Sequence, residues 1–120
     1  IFDSLEINKI NLNNFIHKVL DNPKYKYSLD GHLIPMHYYT HIFENNNYNL
    51  ICKILKYENI NEEFNNYIKY NKIKLPNDTL LNNHQNISKS NLKKTDLDDK
   101  SIKLIQQFYK KDFELFGYKY

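Results

Sequence analysis

The stretch "KKDFELFGYKY" at residues 110–120 decides how the last part of the chain folds. Phe113 and Phe116 continue an apolar stripe at helical spacing, and Gly117 follows as one of only two glycines in the chain. Glycine readily takes the left-handed conformation that closes many helices. The stretch therefore predicts a helix that ends at Gly117. Asp112 lies at the edge of the stripe, where burial is costly without a partner, so we expect it to have a basic or amide partner.

Helical spacing also predicts where this helix begins and where the first helix lies. Thr95 with Asp98 resembles a capping box, so the last helix is expected to begin near Thr95. Residues 10–23, "INLNNFIHKVLDNP", place their apolar side chains on one helical face. Asn11 or Asn13 is expected to cap this first helix, and the Asn-Pro dipeptide that follows it is expected to end it.

The middle of the chain predicts a strand followed by a helix. Residues 48–60, "YNLICKILKYENI", are almost continuously apolar, which is typical of a strand buried on both faces, but Lys53 and Lys56 favour a place near the edge of the sheet. Cys52 lies within this run and is interpreted as a small core residue. Helical spacing follows over residues 61–73, with Asn61 as the expected cap. A strand that leads into a helix in this way indicates an α/β architecture. A short helix is also expected from about residue 36.

The composition limits the kinds of partner. All seventeen basic residues are Lys, and the net charge is +3. Without Arg, the chain lacks the planar group that binds carboxylate or phosphate in a bidentate manner. The lysines are interspersed with acidic residues, which favours a solvated mixed surface over a nucleic-acid patch. No stretch approaches the roughly 20 apolar residues that a membrane-spanning helix needs.

Several catalytic and metal sites can be weighed from residue types alone. His37 and His41 are four apart and would share a helix face, but no third ligand and no catalytic Glu accompany them, so two surface histidines are the favoured interpretation. A thiol inside an apolar strand is a poor nucleophile, which argues against catalysis by Cys52. Gly31 and Gly117, the only glycines, are too few to form a phosphate-binding loop of the usual kind.

Four segments, taken in order, resemble the C-terminal half of the carbohydrate (Golgi-type) sulfotransferases. The family motifs are His-x-x-Pro-Gln after a helix, Tyr/Phe-Glu-x-Leu after a strand, His-x-Asn-x-Ser, and Tyr-x-x-Asp-Phe-x-x-Phe-Gly-Tyr at the end. The matching segments are "FIHKVLDN" with "DGHLIPMHYY" (15–22 and 30–39), "ICKILKYENINEEF" (51–64), "HQNIS" (84–88) and "IQQFYKKDFELFGYKY" (105–120). Two departures are Met36 in place of Gln and Ile60 in place of Leu.

The resemblance implies a fold and a reaction. The fold is the C-terminal portion of a P-loop-like, parallel-sheet α/β domain, mostly helical here with one or two strands. Residues 1–120 would form part of a single domain whose N-terminal, donor-binding half lies outside the chain. The reaction is transfer of a sulfuryl group from 3′-phosphoadenosine 5′-phosphosulfate to a sugar hydroxyl, with a glycan acceptor and no metal. The donor-binding residues lie upstream, so the chain alone is expected to be inactive.

The resemblance also assigns roles to individual residues. His32 matches the first residue of the His-x-x-Pro motif, and its imidazole would hydrogen-bond the acceptor hydroxyl or hold its own loop in place. Glu58, at the end of the predicted strand, is expected to be structural. Asp112 and Gly117 are also expected to be structural, with Asp112 docking the last helix onto the sheet. No catalytic residue is assigned within the chain.

Two other function classes remain open at this stage. The main alternative is a small helical protein-interaction module without catalysis, and a weakly basic nucleic-acid binder is the other. For a sulfotransferase, the resemblance implies the Golgi membrane in a eukaryote, through a helix outside this chain, and the cytoplasm in a bacterium or virus.

Overall fold

The computed structural model describes residues 7–25, 31–75 and 90–119. The predicted "HQNIS" match at residues 84–88 lies outside this range. The described part has an α/β composition with these elements: α1 Leu12–Leu20, α2 His37–Thr40, β1 His41–Glu44, β2 Asn47–Leu50, α3 Ile60–Tyr70, α4 Asp99–Phe108 and α5 Lys110–Phe116. Contacts divide the chain into two compact units, which are Ile1–Ile51 with Ser90–Tyr120, and Cys52–Lys89.

The core of the first unit lies where α1 packs against α4. Ile16 and Val19 on α1 are the large apolar side chains that the described residues bury most fully. The predicted first helix is confirmed, because its apolar residues fall on one face. Asn11 occupies its N-cap position, where its Oδ1 accepts a hydrogen bond from the backbone N–H of Asn8 at 2.8 Å.

A polar network joins the same two helices. We call this network, together with Ile16 and Val19, the α1–α4 contact. The Asn13 carboxamide donates to the carbonyl of Asp96 at 3.0 Å and accepts from the backbone N–H of Asp98 at 2.9 Å. The hydroxyl of Ser101, which is fully buried, also donates to Asn13 at 2.8 Å. One amide side chain thus pairs with three polar groups, of which the Ser101 hydroxyl is the buried one.

The predicted last helix is two helices, and it starts later than expected. Asp98 is its N-cap, with a carboxylate that accepts from the N–H of Ser101 at 2.7 Å. Thr95 lies instead in a 3₁₀ turn, so the prediction of a start near Thr95 was wrong. Leu97 is extended (φ −81°, ψ 133°), which separates that turn from the helix. At Tyr109 (φ −102°, ψ 15°) the backbone departs from helical values, which divides α4 from α5.

Gly117 ends α5 in the left-handed conformation that the sequence predicts, with φ 71° and ψ 27°. The N–H of Tyr118 then donates to the carbonyl of Phe113 at 3.1 Å, which satisfies a carbonyl in the last turn. The chain therefore leaves the helix abruptly after Phe116.

The sheet of the described residues is the antiparallel hairpin β1–β2. Asn45 and Asn46 form its two-residue loop, with φ values of 52° and 62°. Two positive φ values are typical of the type I′ turn, whose twist matches a hairpin. The described part therefore contains two strands, as expected, but they are antiparallel and not parallel.

The long strand predicted over residues 48–60 was largely wrong. Strand β2 ends at Leu50, and no strand follows it among the described residues up to Leu75. Leu50, Ile51 and Cys52 are exposed, so the interpretation of Cys52 as a core residue was also wrong. The apolar run was interpreted as buried, but of its apolar residues after Leu50 only Ile54, Leu55 and Ile60 are partly buried.

The second unit contains a 3₁₀ turn, Tyr57–Asn59, followed directly by α3. The helix is confirmed, although Asn59 and not Asn61 occupies the N-cap position. Glu63 reaches back from the first turn, and its carboxylate accepts from the backbone N–H of Lys56 at 2.9 Å. A groove of about 660 Å³ lies in this unit, lined by Lys53, Ile54, Lys56, Glu63, Asn66, Tyr67, Tyr70 and Asn71.

Candidate functional site

The predicted acceptor residue, His32, lies in a tight turn of residues 31–34, which we call the His32 turn. The N–H of Ile34 donates to the carbonyl of Gly31 at 3.0 Å, and Gly31 has φ 81°. A Cβ on Gly31 would lie 3.2 Å from Cδ1 of Ile34, closer than ordinary contact. Glycine is therefore needed at this position. The side chain of His32 is exposed.

The segment after the turn is held by Asp112 of α5. One carboxylate oxygen accepts from the backbone N–H of Met36 at 2.7 Å. The other accepts from the backbone N–H of His37 at 2.9 Å and lies 2.6 Å from its ring Nδ1. Because a carboxylate accepts hydrogen bonds, this geometry places a proton on Nδ1 of His37. We call these three bonds the α2–α5 contact.

Burial makes the α2–α5 contact strong. The side chains of His37 and Asp112 are only 9% and 16% exposed. A charged group removed from water is costly unless it is paired and hydrogen-bonded, and Asp112 meets both conditions. The predicted need for a basic or amide partner agrees with this geometry, and the partners lie within the chain. The expected docking onto the sheet was wrong, because Asp112 contacts the start of α2.

Tyr109, at the α4–α5 boundary, holds the His32 turn itself. Its hydroxyl donates to the carbonyl of Leu33 at 2.9 Å. Burial, and then the nearby charge of Asp112, raise the pKa of Tyr109, so the phenol keeps its proton as a donor. Two side chains of the closing helices therefore contact the segment that carries His32.

Aromatic rings and one lysine surround the α2–α5 contact. Tyr48 of β2 meets the imidazole of His37 edge-on, with ring centroids 5.6 Å apart. Nζ of Lys111 lies 5.3 Å from the centre of the Tyr48 ring, within cation–π range. Its hydrogen bond to Glu114 raises the pKa of Lys111, so the charge persists. The site therefore combines a carboxylate, an imidazole, an ammonium group and a phenol.

His37, His41 and Glu58 lie in positions that differ from those predicted from the sequence. His37 is buried and not on a helix surface, and His41 lies in β1, where its ring packs edge-on against Phe116 at 5.7 Å. The two histidines therefore do not share a helix face. Glu58 is exposed in the 3₁₀ turn of the second unit and ends no strand, although its structural role stays a prediction. Within residues 7–25, 31–75 and 90–119, no group of three or more His, Cys, Asp or Glu side chains could hold a metal ion.

Sequence reasoning missed two residues of the site. His37 was assigned to the surface because a short polar helix gives no local sign of burial. Tyr109 was considered only as part of the apolar stripe and as the first residue of the terminal motif, although a tyrosine at a buried position usually requires a partner for its hydroxyl. The need for such a partner was the signal in the sequence that could have identified Tyr109.

The described residues do not fit a phosphosulfate donor. Such a donor needs a loop whose glycines let several backbone amides surround a phosphate. The Gly31 turn closes on its own side chains, since Ile34 and the hydroxyl of Tyr39 occupy the space beside Gly31. Gly117 lies at a helix C-terminus, which carries negative partial charge and repels anions. We therefore derive no step through the donor from these residues.

Comparison with known proteins gives one match, to a family model. No curated protein and no solved structure shows significant similarity to the chain. In the described ranges, no helix combines the length and the apolar character needed to cross a bilayer. A family model described as the sulfotransferase family matches residues 4–119. Because this match covers nearly the whole sequence, the chain belongs to the sulfotransferase family.

Proposed function

We propose that the chain forms the acceptor-side part of a carbohydrate sulfotransferase. The reaction is transfer of a sulfuryl group from 3′-phosphoadenosine 5′-phosphosulfate to a sugar hydroxyl. The observation that carries the proposal is the family match over residues 4–119. The carbohydrate acceptor rests on the resemblance of the terminal motif, from Tyr109 to Tyr118, to that of the carbohydrate sulfotransferases.

The geometry around His32 supports a role in binding the acceptor. An exposed imidazole on a held turn can donate to or accept from a hydroxyl group without a large loss of conformational freedom. In sulfuryl transfer, as in phosphoryl transfer, positioning of the hydroxyl and stabilisation of spread negative charge supply most of the rate. His32 would position the acceptor, and the catalytic base and donor-binding groups would lie elsewhere in the domain.

Exposed apolar surface supports the proposal that the chain is the C-terminal part of a larger domain. Among the described residues, fully buried large apolar side chains are few, and many others remain open to solvent. Ile42, Phe43 and Ile51 are each more than half exposed. We expect such exposed apolar side chains to contact another structural element. The N-terminal, donor-binding half of the domain would provide that element.

A transfer assay tests the proposed function. The chain is expressed together with the coding sequence that precedes it in its gene. Radiolabelled sulfate is then followed from the donor to neutral and acidic unsulfated oligosaccharides. We expect labelled glycan, and His32→Ala should raise the acceptor KM by about 2- to 10-fold, the effect of one neutral hydrogen bond. Lys103→Ala, on the exposed side of α4, is the control. Label on peptides or small phenols and on no glycan would contradict the carbohydrate assignment.

Experiments on the chain alone test whether it binds the donor, which calorimetry measures, and whether it is instead a protein-interaction module. We expect no binding of the donor below millimolar concentrations, because the described residues offer no phosphate loop. Sub-millimolar binding would contradict the proposal. A protein-interaction module would also expose apolar surface, but when isolated it should be a monomer with a cooperative thermal transition. Part of a domain should instead aggregate, or unfold without a cooperative transition.

A further inference from the structure

We infer that Tyr109 and Asp112 are positioning residues, which hold the segment from Gly31 to His37 so that the imidazole of His32 meets an acceptor hydroxyl in one fixed place. This inference rests on the proposed function, because it assumes that His32 binds an acceptor hydroxyl. It gives Tyr109 and Asp112 a role at the acceptor that no motif assigns to them. It concerns how the closing helices serve the site and not the chemistry of transfer.

The first support is where the contacts fall along the chain. Tyr109 binds the carbonyl of Leu33, one residue after His32, and Asp112 binds the N–H groups of Met36 and His37. These bonds join positions 75 and 76 residues apart in the sequence. The last helices therefore hold the segment through long-range hydrogen bonds.

The second support is the stiffness of the segment between these contacts. Pro35 is buried, and its ring fixes φ in the middle of the segment. The bond from Ile34 to Gly31 closes the turn on the other side. Leu33 and Ile34 are half-buried, so the exposed side chain of the turn is that of His32. A rigid backbone that presents one exposed imidazole is suited to orienting a hydroxyl, because binding then orders few groups.

The third support is the protonation of Tyr109. Its hydroxyl must donate, because the carbonyl of Leu33 can only accept. The surroundings favour the neutral phenol, because burial and the charge of Asp112 disfavour a phenolate. The contact therefore persists across the neutral and mildly alkaline pH range, in which a transfer assay is run.

Tyr109→Phe gives the clean test, because it removes one oxygen and leaves the ring that packs at the α4–α5 boundary. Asp112 variants are less suitable because they also leave the donors of Met36 and His37 without an acceptor. Tyr70→Phe is the matched control, since it removes a hydroxyl from a tyrosine that is 86% exposed. Both variants are made in the longer protein used for the transfer assay.

Two measurements are made on each variant. The first is the NMR chemical shifts of the Leu33 carbonyl carbon and the His32 imidazole. The second is the split between kcat and the acceptor KM. We expect Tyr109→Phe to shift both signals and to raise the acceptor KM by about 3- to 10-fold, with kcat changed less than KM. Tyr70→Phe should change none of these. A merely structural contact would lower the amount of folded protein and leave the KM of the folded fraction unchanged, and that result would overturn the inference.

The outcomes separate this inference from the proposed function. If the wild-type protein sulfates no glycan, the proposed function fails, and the functional half of the inference fails with it, whatever the NMR signals show. If the wild type sulfates a glycan and His32→Ala impairs it, but Tyr109→Phe leaves both signals and the acceptor KM unchanged, the inference alone is overturned. Shifted signals together with a raised acceptor KM support both.

Discussion

The α1–α4 contact and the α2–α5 contact both tie an early segment of the chain to its last helices, but they use different chemistry. Asn13 and the fully buried Ser101 form a neutral network beside Ile16 and Val19, and at its exposed edge the carboxylate of Asp98 lies 3.1 Å from Nε2 of His17. Asp112, in contrast, places a carboxylate against an imidazole and two backbone amides. The first contact surrounds the best-buried apolar side chains, whereas the second lies among exposed aromatic rings.

The difference indicates separate purposes for the two contacts. Neutral hydrogen bonds beside packed apolar groups stabilise a fold at little electrostatic cost. A buried carboxylate stabilises a structure only when every partner is in place, and it therefore specifies one arrangement strictly. We interpret the α1–α4 contact as the stabilising core and the α2–α5 contact as the device that fixes the position of the site.

The largest effect should follow from breaking the α2–α5 contact. Asp112→Ala leaves the imidazole and two backbone amides without their acceptor, and removing one partner of a buried pair costs about 3 kcal/mol or more. We expect the free energy of unfolding of the longer protein used for the transfer assay, measured by urea titration here and in the predictions below, to fall by about 3 kcal/mol. The amide signals of Met36 and His37 should shift most.

Glu114→Gln is the control for that experiment, because it also removes one negative charge but lies on the exposed side of α5. It should change the free energy of unfolding by less than about 0.5 kcal/mol, as is usual for exposed substitutions. Equal losses for the two variants would contradict the special role of Asp112, and unchanged NMR signals at Met36 would contradict the observed contact.

A smaller effect should follow from weakening the α1–α4 contact. Val19 is only 2% exposed, so Val19→Ala removes apolar contact from the core and leaves a small cavity. We expect a loss of about 2 kcal/mol in the free energy of unfolding, from two buried methyl groups plus the cavity. Ile10→Ala is the control, since Ile10 is 91% exposed. The Met36 and His37 signals should not move, because the two contacts share no residue; a shift there would show that they are one unit.

Local patterns predicted the parts of this fold that local forces determine. The first helix follows from apolar spacing, and the end of α5 follows from the left-handed conformation at Gly117. The α1–α4 contact was not predicted, because an Asn beside a helix start has many uses and its partners lie more than 80 residues away.

The middle of the chain was misinterpreted where two patterns competed. The apolar run over residues 48–60 resembles a buried strand, but strand pairing stops at Leu50. The hairpin signal was present at Asn45 and Asn46, since asparagine tolerates the positive φ that a two-residue loop requires. In so Asn-rich a sequence, two adjacent asparagines did not stand out as a turn.

The candidate site was predicted only in part. The terminal motif indicated that Asp112 needs a partner, but nothing local identified the start of α2 as that partner. His37 and Tyr109 make contacts that span about 75 residues, so their roles depend on tertiary packing and not on spacing. The roles of His32 and Glu58 stay predictions.

The smallest expected effect concerns acid, and it belongs to the α1–α4 contact. The hydrogen bond from the backbone N–H of Ser101 lowers the pKa of Asp98 below its usual 3.8. A group whose pKa is lower in the folded state contributes stability above its unfolded pKa and loses it as the pH falls through the folded value. The contribution of this carboxylate should therefore be complete at pH 5 and decline below about pH 4.

Asp98→Asn separates the charge from the cap, because Asn caps helices about as well as Asp but does not titrate. We expect the stability difference between wild type and Asp98→Asn, from urea titrations between pH 3 and pH 5, to be largest at pH 5 and to shrink below pH 4. Asp98→Ala removes the cap as well, so it should be less stable than Asp98→Asn at every pH. If the wild type and Asp98→Asn keep a constant difference down to pH 3, the charge of Asp98 contributes nothing to the α1–α4 contact. That contact would then depend on neutral hydrogen bonds and apolar packing alone, which would make its contrast with the α2–α5 contact sharper.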